Sequence, residues 1–365
     1  KTGTMSQSYK IIKKAQKKKL EHRIPLEYKV EERAAARVLS SRSQAMLDTP
    51  VNAAIVQGPE GIQVTEPKEG EVLNTEQTIQ NLNRFLNEGW NGKPGNVKAV
   101  IEKKDAPVTA EDLAELTDIL GSCTTYYGDS GEGRLKNVES GANHLNGIFL
   151  RPGEEQSANE AMEPYTIENG YAEADSYESN TVVQTMGGGI CQVSSTLYNA
   201  LLFAELEIVE RYPHSMLVSY VEASKDAAIA DDLLDLVFKN NLDYPIYIQA
   251  VLADGNLTFN IYGKETRSPD RTLTFISESR ESEDTEGKRF VATENYIGYL
   301  AIQSYAHPEI TAQLWKVVTE NGQEVSRDVI NYSQYMAVPE TYGVGVLSDD
   351  PADTDKMNSA IMTQD

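Results

Sequence analysis

Gly187-Gly188-Gly189-Ile190-Cys191-Gln192-Val193-Ser194-Ser195-Thr196-Leu197-Tyr198 runs three glycines directly into a segment of helical periodicity. Val193, Leu197, Ala200, Leu201 and Ala204 recur at steps of three and four, which predicts a helix over about 191–204 with one buried face. Cys191 then lies in its first turn, where unpaired N–H groups and the positive end of the helix dipole favour a thiolate. The glycines allow a carbonyl to approach the backbone, so Gly188, Gly189 and the adjoining Gln192 are candidate substrate contacts, with N–H groups for an oxyanion. The bland reading of Cys191 is a small buried hydrophobe.

A thiolate needs a base, and the next histidine is His214 in Arg211-Tyr212-Pro213-His214-Ser215. A helix of about fourteen residues carries the chain roughly 21 Å away from Cys191. About seven extended residues through Glu207-Ile208-Val209-Glu210-Arg211 return roughly 23 Å, so an antiparallel return brings His214 back to Cys191. Read blandly, His214 is a turn histidine following Pro213.

Several separated motifs, in this order, resemble the VanW domain family: Leu120-Gly121-Ser122 through Arg134 with Tyr126-Tyr127, Asn146-Gly147, Arg151-Pro152-Gly153-Glu154, Glu168-Asn169-Gly170-Tyr171, Gly187 to Asn199, His214-Ser215 with Val218-Ser219-Tyr220-Val221, and Phe238-Lys239-Asn240-Asn241. The resemblance covers about 118–264. It implies a bacterial extracytoplasmic protein of the cell wall, secreted or membrane-anchored, and a family some of whose members are regarded as cysteine L,D-transpeptidases. Its implied partners are peptidoglycan stem peptides, with no cofactor.

Asp226, in Lys225-Asp226-Ala227-Ala228-Ile229, resembles the family's Asp-Ala-Thr-Val segment and is the candidate for orienting the His214 ring. Met216 to Val221 reads as a strand, which would carry the chain away from His214, so this role requires a loop that folds back. Glu222-Ala223-Ser224-Lys225 replaces the family's glycine-containing turn, and Ser215 and Asn240 are alternatives. Arg134, in a matching Gly133-Arg134-Leu135-Lys136-Asn137, suits bidentate recognition of a stem-peptide carboxylate or, equally, an internal ion pair. Tyr126 is a candidate for a sugar or peptide groove, or a buried aromatic.

Around this centre the chain divides, as an expectation, into five parts and an α+β, multi-domain fold. Residues 1–22 form a basic, helical segment with Lys13, Lys14, Lys17, Lys18 and Lys19, read as a solvated face or a site for anionic polymer. Residues 23–116 resemble the peptidoglycan-binding module that precedes VanW domains, or serve as a spacer. Strands are expected at 53–56, 62–64 and 97–101, and a helix from Thr75 capped by Asn74 or Thr75. The VanW-like part, 118–264, is followed by a small β-rich extension at 265–347. There Arg271–Ile276 and Gln313–Val318 read as strands, and Glu320-Asn321-Gly322-Gln323 as a hairpin turn. Residues 348–365 read as a disordered tail.

The 365 residues, 40% hydrophobic, suffice for two or three cores, and the net charge of −23 argues against nucleic-acid binding. No run of 18 apolar residues occurs, and the chain begins at Lys1, so membrane attachment is expected only through a further N-terminal anchor. Cys123 and Cys191 are the two cysteines, and a disulfide between them is the rival to a reactive thiol. The scattered His22, His144, His214 and His307 give no zinc spacing, so no metal site is expected. Two other functions stay open: a cysteine endopeptidase or carboxypeptidase on stem peptides, and a non-catalytic wall-binding protein.

Overall fold

The computed structural model describes residues 13, 27–44, 46–58, 61–178, 181–230, 233–282 and 287–363. The expected basic helix over 1–22 lies outside the described residues, apart from Lys13. The chain forms two compact units, 1–113 and 114–365, and is mixed α and β.

In the first unit, helix α1 (Glu32–Gln44) precedes the hairpin of β1 (Ile55–Gly58) and β2 (Gly61–Val64). Strand β3 (Gly70–Leu73) leads into α2 (Thr75–Arg84), where the Asn74 side chain accepts from Gln77 N–H at 2.9 Å and caps the helix. β4 (Ile101–Lys104) pairs antiparallel with β3. The strand expected at 97–101 begins only at Ile101. Just before it, the Val100 N–H turns to Thr78 Oγ1, while the Val100 carbonyl still accepts from Asn74 N–H. Helix α3 (Ala110–Ala114) ends this unit and starts the next.

The second unit is built on an antiparallel sheet of β5 (Asp118–Tyr126), β6 (Phe149–Leu150), β12 (Ile246–Ala253) and β13 (Asn256–Gly263), in the order β5-β13-β12-β6. Helix α4 (Glu132–Leu145) and helix α6 (Ile190–Phe203) pack on it. Between them lie β7 (Glu155–Ser157), α5 (Ala158–Met162) and the hairpin β8 (Glu173–Glu178) and β9 (Thr181–Met186). β10 (Glu207–Glu210) follows α6 and pairs with β11 (Val237–Lys239), which pairs in turn with β7. The core runs through Val138, Leu145, Val193, Leu197, Leu201, Phe238, Ile248 and Phe259.

The chain then forms β14 (Arg271–Glu281), β15 (Lys288–Tyr296), β16 (Leu300–Ser304), β17 (Ile310–Glu320), β18 (Gln323–Tyr335) and β19 (Glu340–Leu347), in sheets ordered β14-β17-β18 and β15-β19-β16. Asn321 and Gly322, with φ of 50° and 77°, make the two-residue turn between β17 and β18. Phe275 and Leu314 join the same core as α6, and the Phe203 and Phe275 rings meet edge to face at 5.0 Å. The β-rich extension therefore shares the hydrophobic core of residues 114–264.

Residues 351–363 correct the expected disordered tail: Pro351–Thr363 is a helix, α7. Asp350 Oδ1 accepts from Ala352 N–H at 2.9 Å, and Pro351 stands at the first helical position, where its missing N–H costs nothing. The weakly patterned sequence hid a helix with a sound start. Among the described residues no helix is long and apolar enough to cross a membrane.

Candidate active site

Helix α6 begins at Gly189, whose φ of +104° lies in the left-handed region that favours glycine. The N–H groups of Gly188, Ile190 and Gln192 bond to the carbonyls of Thr185, Gly187 and Gly189. That leaves the Gly189 and Cys191 amides, which flank Ile190 at this turn, without a hydrogen bond to a described residue at the positive end of the helix. Contrary to the expected single buried face, α6 is buried from Gln192 to Leu202. Its polar side chains find partners in protein instead of water. Ser194 donates to Ala227 O at 2.7 Å, the Ala227 N–H donates to Ser195 Oγ at 2.9 Å, and Asn199 donates to Lys225 O at 2.7 Å. These bonds dock the segment 225–229 along the helix, beside Cys191.

The return through β10 delivers His214 to the same place. Met216 to Val221 is not a strand: this stretch is irregular, and the chain reverses through Ser224, whose φ is +64°. That reversal is the fold-back Asp226 needed. Asp226 is fully buried, and its Oδ2 accepts from His214 N–H at 2.7 Å and from His214 Nδ1 at 2.8 Å. Its Oδ1 accepts from Arg211 Nη2 at 2.9 Å and from the Tyr335 hydroxyl at 2.6 Å. With Nδ1 committed to Asp226, Nε2 is the nitrogen left for Cys191, and the thiol and imidazole stand close enough to shift each other's ionisation. The Cys191 sulfur also lies 3.4 Å from the Ile229 carbonyl oxygen.

The charges follow from these contacts. Burial by itself pushes the Cys191 thiol up, but the His214 hydrogen bond and charge, the Ile229 backbone and the Arg134 charge together hold it below the usual thiol value. Burial disfavours a charged His214. The bonds to Asp226 and Cys191 and their charges overcome it and raise the imidazole to about 9. Asp226, despite burial, is held below the usual carboxylate range by His214, Arg211 and Tyr335. The arrangement favours a thiolate–imidazolium pair.

Cys191, His214, Asp226, Gly189 and Arg134 are thus brought together. Arg134 donates from Nε to Ser130 Oγ at 3.2 Å and from Nη2 to Gln192 Oε1 at 2.5 Å, and its charge is felt at Cys191. Three candidates serve otherwise. Gln192 is 1% exposed, its Nε2 is spent on Thr125 Oγ1 and Tyr126 O, and its Oε1 holds Arg134 in place. Gly188 is a packing glycine: a Cβ there would stand 2.5 Å from Ala174 O, and its own carbonyl accepts from Asn137 Nδ2. The Tyr126 ring is exposed and turned to Asp129 and Gly128, and only its carbonyl reaches Gln192. Asn240 is tied to Leu150 O and Tyr244 O, and Ser215 gives only a backbone carbonyl, to Met336 N–H. Both cysteines are free, and burial pushes Cys123 up to about 11.

Sequence reasoning missed Arg211, Tyr220 and Tyr335. Arg211 carries a salt bridge to Asp226 at 5% side-chain exposure, and the Tyr220 hydroxyl stands 3.5 Å from His214 Nε2. Tyr220 lies within a motif of the resemblance and Arg211 three residues before His214, so proximity to His214 was the available signal. Tyr335 is 109 residues from Asp226 and had none.

A family model described as "VanW like protein" matches residues 133–262, a span that contains Cys191, His214, Asp226 and Arg134. An uncharacterized protein of Bacillus subtilis, YoaR, is 35% identical over 159 residues, 43% of this chain and 52% of its own. The vancomycin B-type resistance protein VanW of Enterococcus faecalis is 24% identical over 152 residues, 38% of this chain and 55% of its own. The chain spans about half the length of these curated relatives. A solved IgA1 protease G5 domain matches 20% of the chain and 90% of itself at 16% identity and a TM-score of 0.14, too slight to bear on the fold. Residues 133–262 of this chain thus form a VanW-like domain.

Proposed function

We propose that this protein is a bacterial cell-wall acyltransferase, an L,D-transpeptidase in which Cys191 is the nucleophile. The observation that carries the reading is the placement of Cys191, at the start of α6, beside a His214 that is hydrogen-bonded to the buried Asp226, with the Gly189 and Cys191 amides free of bonds to described residues. The VanW-like domain, and a relative named for vancomycin resistance, support a role at the cell wall, and stem peptides outside the cytoplasm are the substrates this reading assigns.

In this reading the Cys191 thiolate attacks the carbonyl of the third stem residue, and the oxyanion forms against the Gly189 and Cys191 N–H groups. Collapse breaks the C–N bond, and the leaving D-alanine amine takes the His214 proton from Nε2. A thioester remains on Cys191 and His214 is neutral. It then takes the proton of an incoming side-chain amine, which displaces the thiolate and closes a 3-3 crosslink. Water in place of that amine gives a carboxypeptidase. In the same reading Arg134, anchored by Ser130 and Gln192, receives a substrate carboxylate.

Incubation of the protein with a defined tetrapeptide donor, followed by intact-mass analysis, tests this. The expected result is a thioester on Cys191 with release of D-alanine, absent in Cys191→Ala and retained in Cys123→Ala. Undiminished turnover by Cys191→Ala, or neither thioester nor D-alanine with the intact protein, would sink the reading and leave a wall-binding role ahead.

A further inference from the structure

We propose that strand β18 is part of the catalytic centre, with Tyr335 a positioning residue that acts through Asp226. This rests on the cysteine-nucleophile reading above and adds to it a segment outside the matched 133–262 domain.

Alternation along a strand places Asn331, Ser333 and Tyr335 on one face of β18, and all three reach the turn that carries Asp226. Asn331 Nδ2 donates to Ser224 O at 3.0 Å, Ser224 Oγ donates to Ser333 Oγ at 2.8 Å, and Ser224 N–H donates to the Tyr335 hydroxyl oxygen at 2.6 Å. Every polar group of Ser224 is therefore held by this strand. Ser224 needs that hold, because a serine at φ +64° occupies the left-handed region that side-chain-bearing residues rarely adopt. Ser333 also accepts from Arg211 Nη1 at 2.9 Å, so the same face steadies the arginine on Asp226.

The Tyr335 hydroxyl is 2.6 Å from Ser224 N and 2.6 Å from Asp226 Oδ1, and the residue is 1% exposed. Since the Ser224 N–H points at the hydroxyl oxygen, the hydroxyl proton goes to Asp226. Arg211 and Tyr335 together fix Oδ1, which turns Oδ2 to meet both the backbone N–H and Nδ1 of His214. Phenylalanine at 335 would fill the space equally well; the hydroxyl serves the carboxylate and its turn. Losing it has two opposed effects. One donor fewer leaves more charge on the carboxylate, which by itself holds the imidazolium tighter. The released Ser224 turn lets the carboxylate swing away from His214, and this loss of geometry dominates because the one hydroxyl anchors both groups.

The test follows iodoacetamide alkylation of Cys191 in the full chain by intact mass, from pH 5 to 10, with Cys123→Ala leaving one thiol. The parent protein is expected to alkylate with an apparent pKa below that of a free thiol. Tyr335→Phe is expected to move that pKa up by about one unit, roughly tenfold slower alkylation near pH 6. Tyr335→His, which keeps a ring N–H donor, recovers part of the rate. Val317→Ala, a buried residue of β17 with no hydrogen bond to this network, lowers Tm without moving the profile. Asp226→Asn moves the profile, and adding Tyr335→Phe to it changes little further, because both act through one carboxylate. A Tyr335→Phe profile that is unchanged or moves down, or one that adds fully to Asp226→Asn, overturns the positioning role. A parent protein whose Cys191 alkylates like an ordinary thiol takes down the nucleophile reading and this proposal together.

Discussion

The mutual influence of Cys191 and His214 on each other's ionisation sets opposite pH limits on the two halves of the proposed reaction. Nucleophilic attack needs the thiolate, which the pairing makes available below the usual thiol value. Protonating the leaving amine needs His214 charged, and that charge is present at low pH and lost as pH rises through about 9. Turnover is therefore expected to fall above about pH 9 while alkylation of Cys191 does not. In Asp226→Asn the carboxylate that raises the imidazole is gone, so the basic limb moves down towards 6.5, the ordinary histidine value. A pH profile of D-alanine release checks this, and an unmoved basic limb would show that Asp226 does not act on His214. His214→Ala is expected to slow acylation by about 10²–10⁴-fold, the usual contribution of a positioned acid–base group.

The turn into α6 works as an element because two adjacent glycines meet two different demands. Gly188 gives room for the Ala174 carbonyl, and Gly189 supplies a left-handed φ while Arg134 lies across it. A Cβ on Gly189 would stand 2.6 Å from Arg134 Nη1 and 2.8 Å from its Cγ, so Arg134 has to leave its bond to Gln192. Gly189→Ala is expected to cost about 1–3 kcal/mol of stability from the strained φ. It should also lose donor acylation more steeply than stability, because the oxyanion amides and Arg134 move together. Thermal unfolding measured beside acylation rate separates the two; an alanine variant of full activity would place the oxyanion site elsewhere. The same element shows where the sequence misled. Spacing gave the helix and its start, but buried Ser194, Ser195 and Asn199 looked like a solvated face because their partners, Ala227 and Lys225, lie across a loop.

At the scale of the whole second unit, Glu205 ties α6 to the extension. It accepts two bonds from Arg271 at 2.6 and 2.8 Å, is paired with Lys316 at 2.5 Å, and lies 3.4 Å from Arg267. Burial alone would raise its carboxyl, but these cations hold it down at about 2. A depressed carboxyl contributes stability that is present above the ordinary value of 4.5 and is lost as pH falls towards about 2. Glu205→Gln is expected to lower Tm by a few degrees at pH 7, about 1–2 kcal/mol in a unit of this size, since water reaches one side of the cluster. The deficit against the parent protein should close as pH drops to about 2. A constant deficit across that range would mean that the cluster acts by packing alone. The extension is thus joined to the core that carries Cys191 by charge at Glu205, by apolar burial at Phe275 and Leu314, and by the polar face of β18. The sequence by itself determined the glycine turn, the helix carrying Cys191 and the return to His214, because periodicity and chain length are local quantities. It also marked Asp226 and Arg134 through short motifs. Only the tertiary structure decided that Ser224 reverses the chain to seat Asp226, that Gln192 and Gly188 serve the fold, and that Arg211 and Tyr335 share the carboxylate. Those outcomes depend on which buried polar group meets which partner across as many as 109 residues. A buried donor or acceptor is satisfied wherever the packed chain brings a partner within about 3 Å, and no pattern along the sequence encodes that meeting.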